Sequence, residues 1–175
     1  YRRWLETQEG SFNERNTSAP GWLYHIEALW SQRAPGKTCI SALRAPRSGE
    51  YQAVDNDRKG AGGIMRIGPV AMMYAGIDDA ADHVFELATQ CARMTHGHPS
   101  GYLAAGAYAV VLHSLLCEKS LEHGIGRASE YLKSSHGGHE VLSAMELAQG
   151  LVRDEVEPGF AIPCIGQAWV AEEAL

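Results

Sequence analysis

Apolar residues recur three or four positions apart through most of the chain, which is the spacing of one face of an α-helix. One such stripe lies at positions i, i+3, i+4 and i+7: Val84, Leu87, Ala88 and Cys91. Asp78 and Asp79 precede it, and acidic groups favour the positive N-terminal end of a helix. The sequence shows no convincing alternation of apolar and polar residues, which is the pattern of a strand. We therefore predict an all-α fold.

The same spacing, together with helix-breaking residues, predicts where the helices lie. They are expected at 1–9, 20–31, 38–43, 101–118, 126–133 and 139–153, with a last helix that starts near Gln167. The stretch 101–118 is apolar on nearly every side, so we expect a central, buried helix with Ser100 as its N-cap. Gly68-Pro69 is expected to break or restart a helix, and Pro158 and Pro163 to bound a loop.

The size and charge of the chain limit what it can do. Its 175 residues, 45% of them hydrophobic, are enough for one domain, 1–175, with a real core. It carries 15 Lys and Arg against 21 Asp and Glu, a net charge of −6. Proteins that bind nucleic acid or anionic membranes need a basic face, so we expect neither partner. No apolar run approaches the roughly 20 residues that span a bilayer, and the N-terminal sequence does not resemble a secretory signal.

The cysteines suggest a reducing compartment. They are far apart in the sequence and form no CxxC pair: Cys39, Cys91, Cys117 and Cys164. Three of them lie beside apolar or helix-forming residues, which is typical of buried free thiols. We therefore expect a cytoplasmic protein.

Two familiar patterns are only partly present. Residues 34–38 are similar to the tail of a phosphate-binding P-loop, but Ser31 stands where that pattern needs a glycine, and a helix is expected where it needs a strand. The segments 96–98 and 136–139 carry histidines at both ends, yet no CxxC or HExxH accompanies them. We therefore predict a plain turn in the first segment and no metal ligand in this chain.

Two loops are suited to an anion. The polar segment 45–59, expected to be a loop, leads to the glycine-dense stretch 60–63, where backbone amides without side chains can form an anion-binding nest. Residues 95–99 precede the central helix, whose positive end faces them, and His96 could donate to a phosphate oxygen. Taken separately, each has a structural explanation: an ordinary turn for the glycines, and a helix cap for His96.

Taken together and in this order, the two loops resemble those of a known family. Four segments carry the resemblance: 56–69 (NDRKGAGGIMRIGP) is similar to the pattern NxSxGxGGxMRxxP, 95–99 (THGHP) to THxHP, 38–43 (TCISAL) to TCxSAL, and 166–175 (GQAWVAEEAL) to GxGWxAEEAL. These are patterns of the ADP-ribosylglycohydrolase family, of the type that includes dinitrogenase reductase-activating glycohydrolase. The segments span most of the chain and share the family's order and spacing.

The resemblance implies a fold, an activity and a set of binding residues. The fold is a compact helical domain, and the activity is hydrolysis of the glycosidic bond between ADP-ribose and a protein side chain or small molecule, assisted by two Mg2+ or Mn2+ ions. One set of residues would line the ADP-ribose groove, with backbone amides on the pyrophosphate: Gly60, Ala61, Gly62, Gly63 and Met65. His96 would contact the pyrophosphate too, and Arg66 would anchor the loop. The alternative is a non-catalytic ADP-ribose-binding or structural relative.

The chain also departs from the family pattern. The family's metal-binding motifs, TDDT near the N-terminus and GDxDx near the C-terminus, do not occur in it. We therefore identify no catalytic residue and expect a central part of the domain that is inactive by itself. Arg58 replaces a usual Ser, where it either pairs with phosphate or fills the groove, and Ala168 replaces a usual Gly. Missing helices at both ends would leave a large apolar surface, which self-association would cover.

Overall fold

Among the residues that the structure describes, helices joined by turns and irregular segments make up the fold. The computed structural model describes residues 1–45 and 53–175, so 46–52 of the predicted polar loop lie outside the described residues. The α-helices of the described residues are, in order, α1 Arg2–Glu9, α2 Lys37–Arg44, α3 Gly68–Met73, α4 Ala81–Arg93, α5 Pro99–Leu116, α6 Leu121–Ser134, α7 His139–Arg153, α8 Pro158–Ile165 and α9 Ala171–Ala174. No strand occurs within the described ranges, where one isolated antiparallel bridge joins Gly60 to Val170. The all-α prediction is confirmed.

The predicted central helix, α5, lies at the centre of the fold. It packs along α4 on one side and α6 on the other, and it also contacts α3, α7 and α9. Small residues make these approaches possible: a Cβ added at Gly106 would lie 2.5 Å from the Thr89 hydroxyl and 2.8 Å from the Phe85 ring. The core around α5 contains several side chains that are almost completely buried: Ile67, Val84, Val110, Leu132 and Val141. This core gives the loop before α5 a fixed support.

The predicted helix 20–31 is wrong. This stretch forms two 3-10 turns, Trp22–His25 and Glu27–Leu29, which are separated by Ile26 in an extended conformation (φ −89°, ψ 111°). Gly21, which precedes the first turn, has a φ of 100°, outside the helical region. Trp30 of this stretch instead packs in an aromatic cluster, whereas Trp22 and Leu23 remain exposed.

That aromatic cluster holds the N-terminal part of the chain together. The Trp30 indole lies edge-on to Tyr24, with ring centroids 5.0 Å apart, and its N–H donates to the Tyr24 carbonyl oxygen at 2.8 Å. Phe12 also lies edge-on to Trp30, with ring centroids 6.1 Å apart. The Tyr24 hydroxyl donates to the Glu6 carboxylate of α1 at 2.6 Å. Side-chain contacts across the segment therefore override its local helix pattern.

Two boundaries in the second half of the chain also differ from those predicted. Pro158 and Pro163 do not bound a loop, because both lie within α8. Pro158 occupies the first turn, where a missing N–H costs nothing, and the Glu157 carboxylate caps the helix by accepting the Gly159 amide at 3.1 Å. The helix predicted at 126–133 is longer than expected, since α6 already begins at Leu121.

The last helix begins later than predicted. α9 starts at Ala171 rather than near Gln167, because the residues before it do not have helical backbone angles. Gly166 and Ala168 have φ angles of 149° and 59°. This irregular backbone lies directly before the residues that pair with the glycine stretch.

Large apolar side chains remain exposed on several elements. Eight described side chains are more than 60% exposed: Trp22, Met65, Met72, Met73, Val152, Phe160, Ile162 and Trp169. Self-association through such residues stays a prediction. The four cysteines are free, as expected, but Cys39 is buried whereas Cys164 is exposed. Among the described helices, none combines the length and the hydropathy needed to cross a membrane.

Candidate functional site

The glycine loop, residues 60–66, is a tightly packed turn. Ala61–Arg66 forms a 3-10 helix, and a Cβ added at Gly63 would lie only 2.8 Å from the carbonyl oxygen of Gly101 in α5. Since neither Gly62 nor Gly63 has a positive φ, close approach rather than backbone freedom explains the glycine at position 63. The loop therefore rests directly on the first turn of the central helix.

The histidine loop, residues 95–99, joins α4 to α5 beside the glycine loop. The sequence predicted Ser100 as the N-cap of α5, and this prediction is wrong. The N-cap is His98, whose Nδ1 accepts the Ser100 amide at 3.1 Å, with Pro99 in the first turn. Thr95 and His96 are almost fully buried at the end of α4. This loop places the start of an 18-residue helix next to the glycines.

Asn56 ties the two loops to each other. Its side-chain amide donates to the Thr95 carbonyl oxygen at 3.1 Å, and its Oδ1 accepts the Gly97 amide at 2.9 Å and the Arg58 amide at 3.0 Å. A Cβ added at Gly97 would lie 2.0 Å from the Asn56 carbonyl oxygen, so only glycine fits there. One side chain thus fixes the entry to the glycine loop against the histidine loop.

His96 lies directly beneath the glycine loop. Its side chain is in contact range of Gly60 and Gly62, since Cβ atoms added there would lie 3.8 Å and 3.6 Å from the ring. Its Nδ1 is 2.8 Å from the Thr95 hydroxyl. Burial, reinforced by the nearby Arg66 guanidinium, lowers the pKa of His96 to about 4. The ring is therefore neutral at neutral pH and 1% exposed.

Arg66 anchors the C-terminal end of the glycine loop, as the resemblance implied. Its guanidinium donates to the Thr95 hydroxyl at 2.5 Å, to the Cys91 carbonyl oxygen at 2.9 Å and to the Cys39 sulfur at 3.1 Å. It also lies 5.0 Å from the centre of the Tyr1 ring. These partners come from α2, α4 and the N-terminus, so a single guanidinium joins three segments at the loop.

The other residues predicted to bind ADP-ribose lie around this support. Met65 is 84% exposed, whereas the Ala61 amide is already engaged, since it donates to the Trp169 carbonyl oxygen at 3.0 Å. The structure thus brings Gly60, Gly62 and His96 together and leaves the Met65 side chain in solvent. Arg58 is exposed, and no side-chain partner is found for it among the described residues. The ligand roles of these residues stay predictions.

The residues before α9 cover the edge of the glycine loop. The bridge between Gly60 and Val170 is extended by a hydrogen bond from the Ala171 amide to the Lys59 carbonyl oxygen, at 2.8 Å. The Lys59 ammonium group contacts the carboxylates of Glu140, at 2.5 Å, and Glu172. The sequence analysis missed these charged residues, because no local spacing connects positions 81 and 113 residues apart.

The described residues do not fit the metal pair that the resemblance implies. Within 1–45 and 53–175, no three His, Cys, Asp or Glu side chains are grouped so that they could hold a metal ion. Asp78 and Asp79 begin a 3-10 turn that runs straight into α4, and Asp78 lies 3.5 Å from the Lys119 ammonium group. Their interpretation as helix-start charges is confirmed.

A comparison with protein families covers the whole chain. The family model described as ADP-ribosylglycohydrolase matches residues 1–175. Searches among curated proteins and among solved structures gave no significant match.

Proposed function

Because the chain belongs to the ADP-ribosylglycohydrolase family, we propose that its protein hydrolyses the glycosidic bond between ADP-ribose and a protein side chain or small molecule. One observation supports this most: the glycine loop and the histidine loop, which are separate in sequence, pack into a single unit around His96. That unit places three glycines beside the start of the central helix, where Gly63 packs against Gly101. It is suited to a compact, doubly charged anion such as pyrophosphate.

The proposed ligand contacts follow from this arrangement. The start of α5, an 18-residue helix, places its positive end beside the loops. Six residues form the proposed ADP-ribose groove: Gly60, Ala61, Gly62, Gly63, Met65 and His96. His96 supports the glycines from beneath and, as a neutral ring, adds no charge to the loop. A direct contact between His96 and the pyrophosphate requires the loop to shift, since the ring is almost fully covered.

We derive no catalytic step through metal ions. The resemblance implies two Mg2+ or Mn2+ ions, but the described residues provide no grouped ligands for them. The part of the reaction that these residues support is binding: they hold the pyrophosphate and so orient the ribose of the substrate. The acceptor attached to the ribose is not assigned.

The alternative proposal is a protein that binds ADP-ribose without cleaving it. It is favoured by the pairing of two carboxylates beside the glycine loop, since Glu140 and Glu172 both contact the Lys59 ammonium group. Assays with ADP-ribosylated arginine and serine peptides, with Mg2+ or Mn2+ added, separate the two proposals. Release of ADP-ribose supports hydrolysis, whereas tight binding of ADP-ribose without release supports the alternative.

Calorimetric titration with ADP-ribose tests the groove itself. We expect His96→Ala to weaken binding by about tenfold to a hundredfold, because the loss of the ring beneath Gly60 and Gly62 would misplace the glycine loop. Gly62→Leu should weaken it further, because its Cβ would lie 3.6 Å from His96 and 3.7 Å from Cys39, so that the rest of the side chain would displace the loop. Matched controls are His83→Ala, at an exposed site, and Gly126→Leu, where an added Cβ meets no neighbour within 4 Å. Unchanged affinity in both loop variants would refute the groove.

A further inference from the structure

Lys59, which immediately precedes the glycine loop, is held at both its backbone and its side chain. Its carbonyl oxygen accepts the Ala171 amide at 2.8 Å. Its ammonium group donates to Glu140 of α7, at 2.5 Å, and to Glu172 of α9. We call these three charged side chains, Lys59, Glu140 and Glu172, the lysine bridge. It joins the entry of the glycine loop to two helices that are distant in sequence.

The buried carboxylate in this bridge has one charged partner, Lys59, within residues 1–45 and 53–175. The Glu172 side chain is 9% exposed, and its Oε2 is buried without a hydrogen-bond partner among the described residues. A buried carboxylate in this situation is strongly dependent on the cation that pairs with it. Glu172 therefore holds the Lys59 ammonium group, while the amide of the preceding residue, Ala171, holds the Lys59 carbonyl oxygen.

The second carboxylate extends the bridge to the central helix. The Ser100 hydroxyl in the first turn of α5 donates to Oε2 of Glu140, while Oε1 accepts from Lys59. The hydrogen bond from Lys59, followed by that from Ser100, lowers the pKa of Glu140, and the same pairing raises the pKa of Lys59. Both groups are thus charged at neutral pH, and the bridge connects the glycine loop to the helix that supports it.

We propose that the lysine bridge is a positioning device, which fixes the glycine loop in the shape that receives the pyrophosphate. The inference rests on the proposed function for the ligand, but the effect on the loop is independent of it. A loop that is ordered before binding avoids the entropic cost of ordering during binding. The bridge residues act through the loop backbone and need not contact ADP-ribose.

Two measurements on the full chain test this role. The first is amide hydrogen exchange of residues 60–66 in two variants, Glu172→Gln and Glu140→Gln. Glu140 is the more exposed of the two sites and should tolerate substitution better. The second is titration of the same proteins with ADP-ribose, well below their melting temperatures. The matched control is Glu9→Gln, which removes the ion pair with Arg44 (2.5 Å) between α1 and α2. A contribution to stability alone would change melting but leave loop exchange and affinity of the folded protein unchanged.

We expect faster exchange in the glycine loop of both bridge variants and a loss of ADP-ribose affinity of about tenfold to a hundredfold, the cost of a small misplacement. The Glu9→Gln control should match the parent in both measurements. Unchanged loop exchange would overturn the positioning role whatever happens to the affinity. Faster exchange with unchanged affinity would overturn its importance for the ligand. If the parent itself does not bind ADP-ribose, the proposed function fails, and exchange still decides whether the bridge holds the loop.

Discussion

Ala168 occupies a backbone conformation that suits glycine. Its φ is 59°, in the left-handed region, where a Cβ crowds the following carbonyl oxygen at a cost of about 1 kcal/mol. The resemblance places a glycine at this position, so the departure noted in the sequence has a measurable physical consequence. The strain lies next to Trp169, whose carbonyl oxygen accepts the Ala61 amide of the glycine loop.

We expect Ala168→Gly to raise the free energy of unfolding by up to about 0.5 kcal/mol, because relief of the left-handed strain exceeds the entropy that glycine adds to the unfolded chain. Urea denaturation measures the change. The control is Ala161→Gly within α8, where glycine should instead lower stability. A loss of stability in Ala168→Gly would show that the methyl group makes a contact worth more than the strain.

His96 makes stability dependent on pH. Because the folded state lowers its pKa to about 4, from an ordinary value near 6.5, the unfolded chain binds more protons between these values. The contribution of His96 to stability is therefore complete above about pH 6.5 and is lost as the pH falls through 4. We expect a loss of about 3 kcal/mol from this group by pH 4.

Urea denaturation at a series of pH values tests this contribution. His96→Gln should be less stable than the parent at pH 7 but lose less on acidification, whereas the exposed-site control His83→Gln should follow the parent. Equal acid losses in His96→Gln and the parent would mean that His96 is not the titrating group.

At the scale of the elements, apolar periodicity predicted helix positions best where the helix packs through an apolar face of its own. α5 and α7 agree with the predicted stretches because one buried stripe or an all-round apolar surface determines each. The stretch 20–31 has the same spacing, yet its Trp30 N–H bonds to a backbone carbonyl oxygen, which no local pattern reveals. The glycine and histidine loops were found by motif. The lysine bridge was not found, since tertiary packing alone brings its members together.

Asn56 should determine how firmly the two loops are joined. Asn56→Ala removes a donor and an acceptor that together serve three backbone groups, so we expect a loss of about 2 kcal/mol in the free energy of unfolding. ADP-ribose affinity should fall as well, because the two loops are no longer held in a fixed position relative to each other. Thermal melting and calorimetry measure the two effects. Asn16→Ala is the control, since its side chain accepts a single amide in an exposed turn; a similar small loss in both variants would refute the joining role.

At the scale of the whole molecule, the chain has two unequal packing regions. All the described residues of the main buried core lie between positions 64 and 175. The N-terminal part relies on its aromatic cluster and on a few links to the rest, such as the hydrogen bond from Arg66 to Cys39. Parts with fewer buried apolar contacts open at lower free energy than the core. The N-terminal part should therefore unfold first.

The distribution of tryptophans makes this testable in one experiment. Trp4, Trp22 and Trp30 lie in the N-terminal part, whereas most helical residues lie in α4 to α7. In urea, we expect the fluorescence transition to have a lower midpoint than the loss of helical circular dichroism. Trp169→Phe removes the one C-terminal reporter, which is exposed, and should leave the gap unchanged or wider. Coincident transitions would show that the links through Arg66 suffice to make the whole chain unfold as one unit.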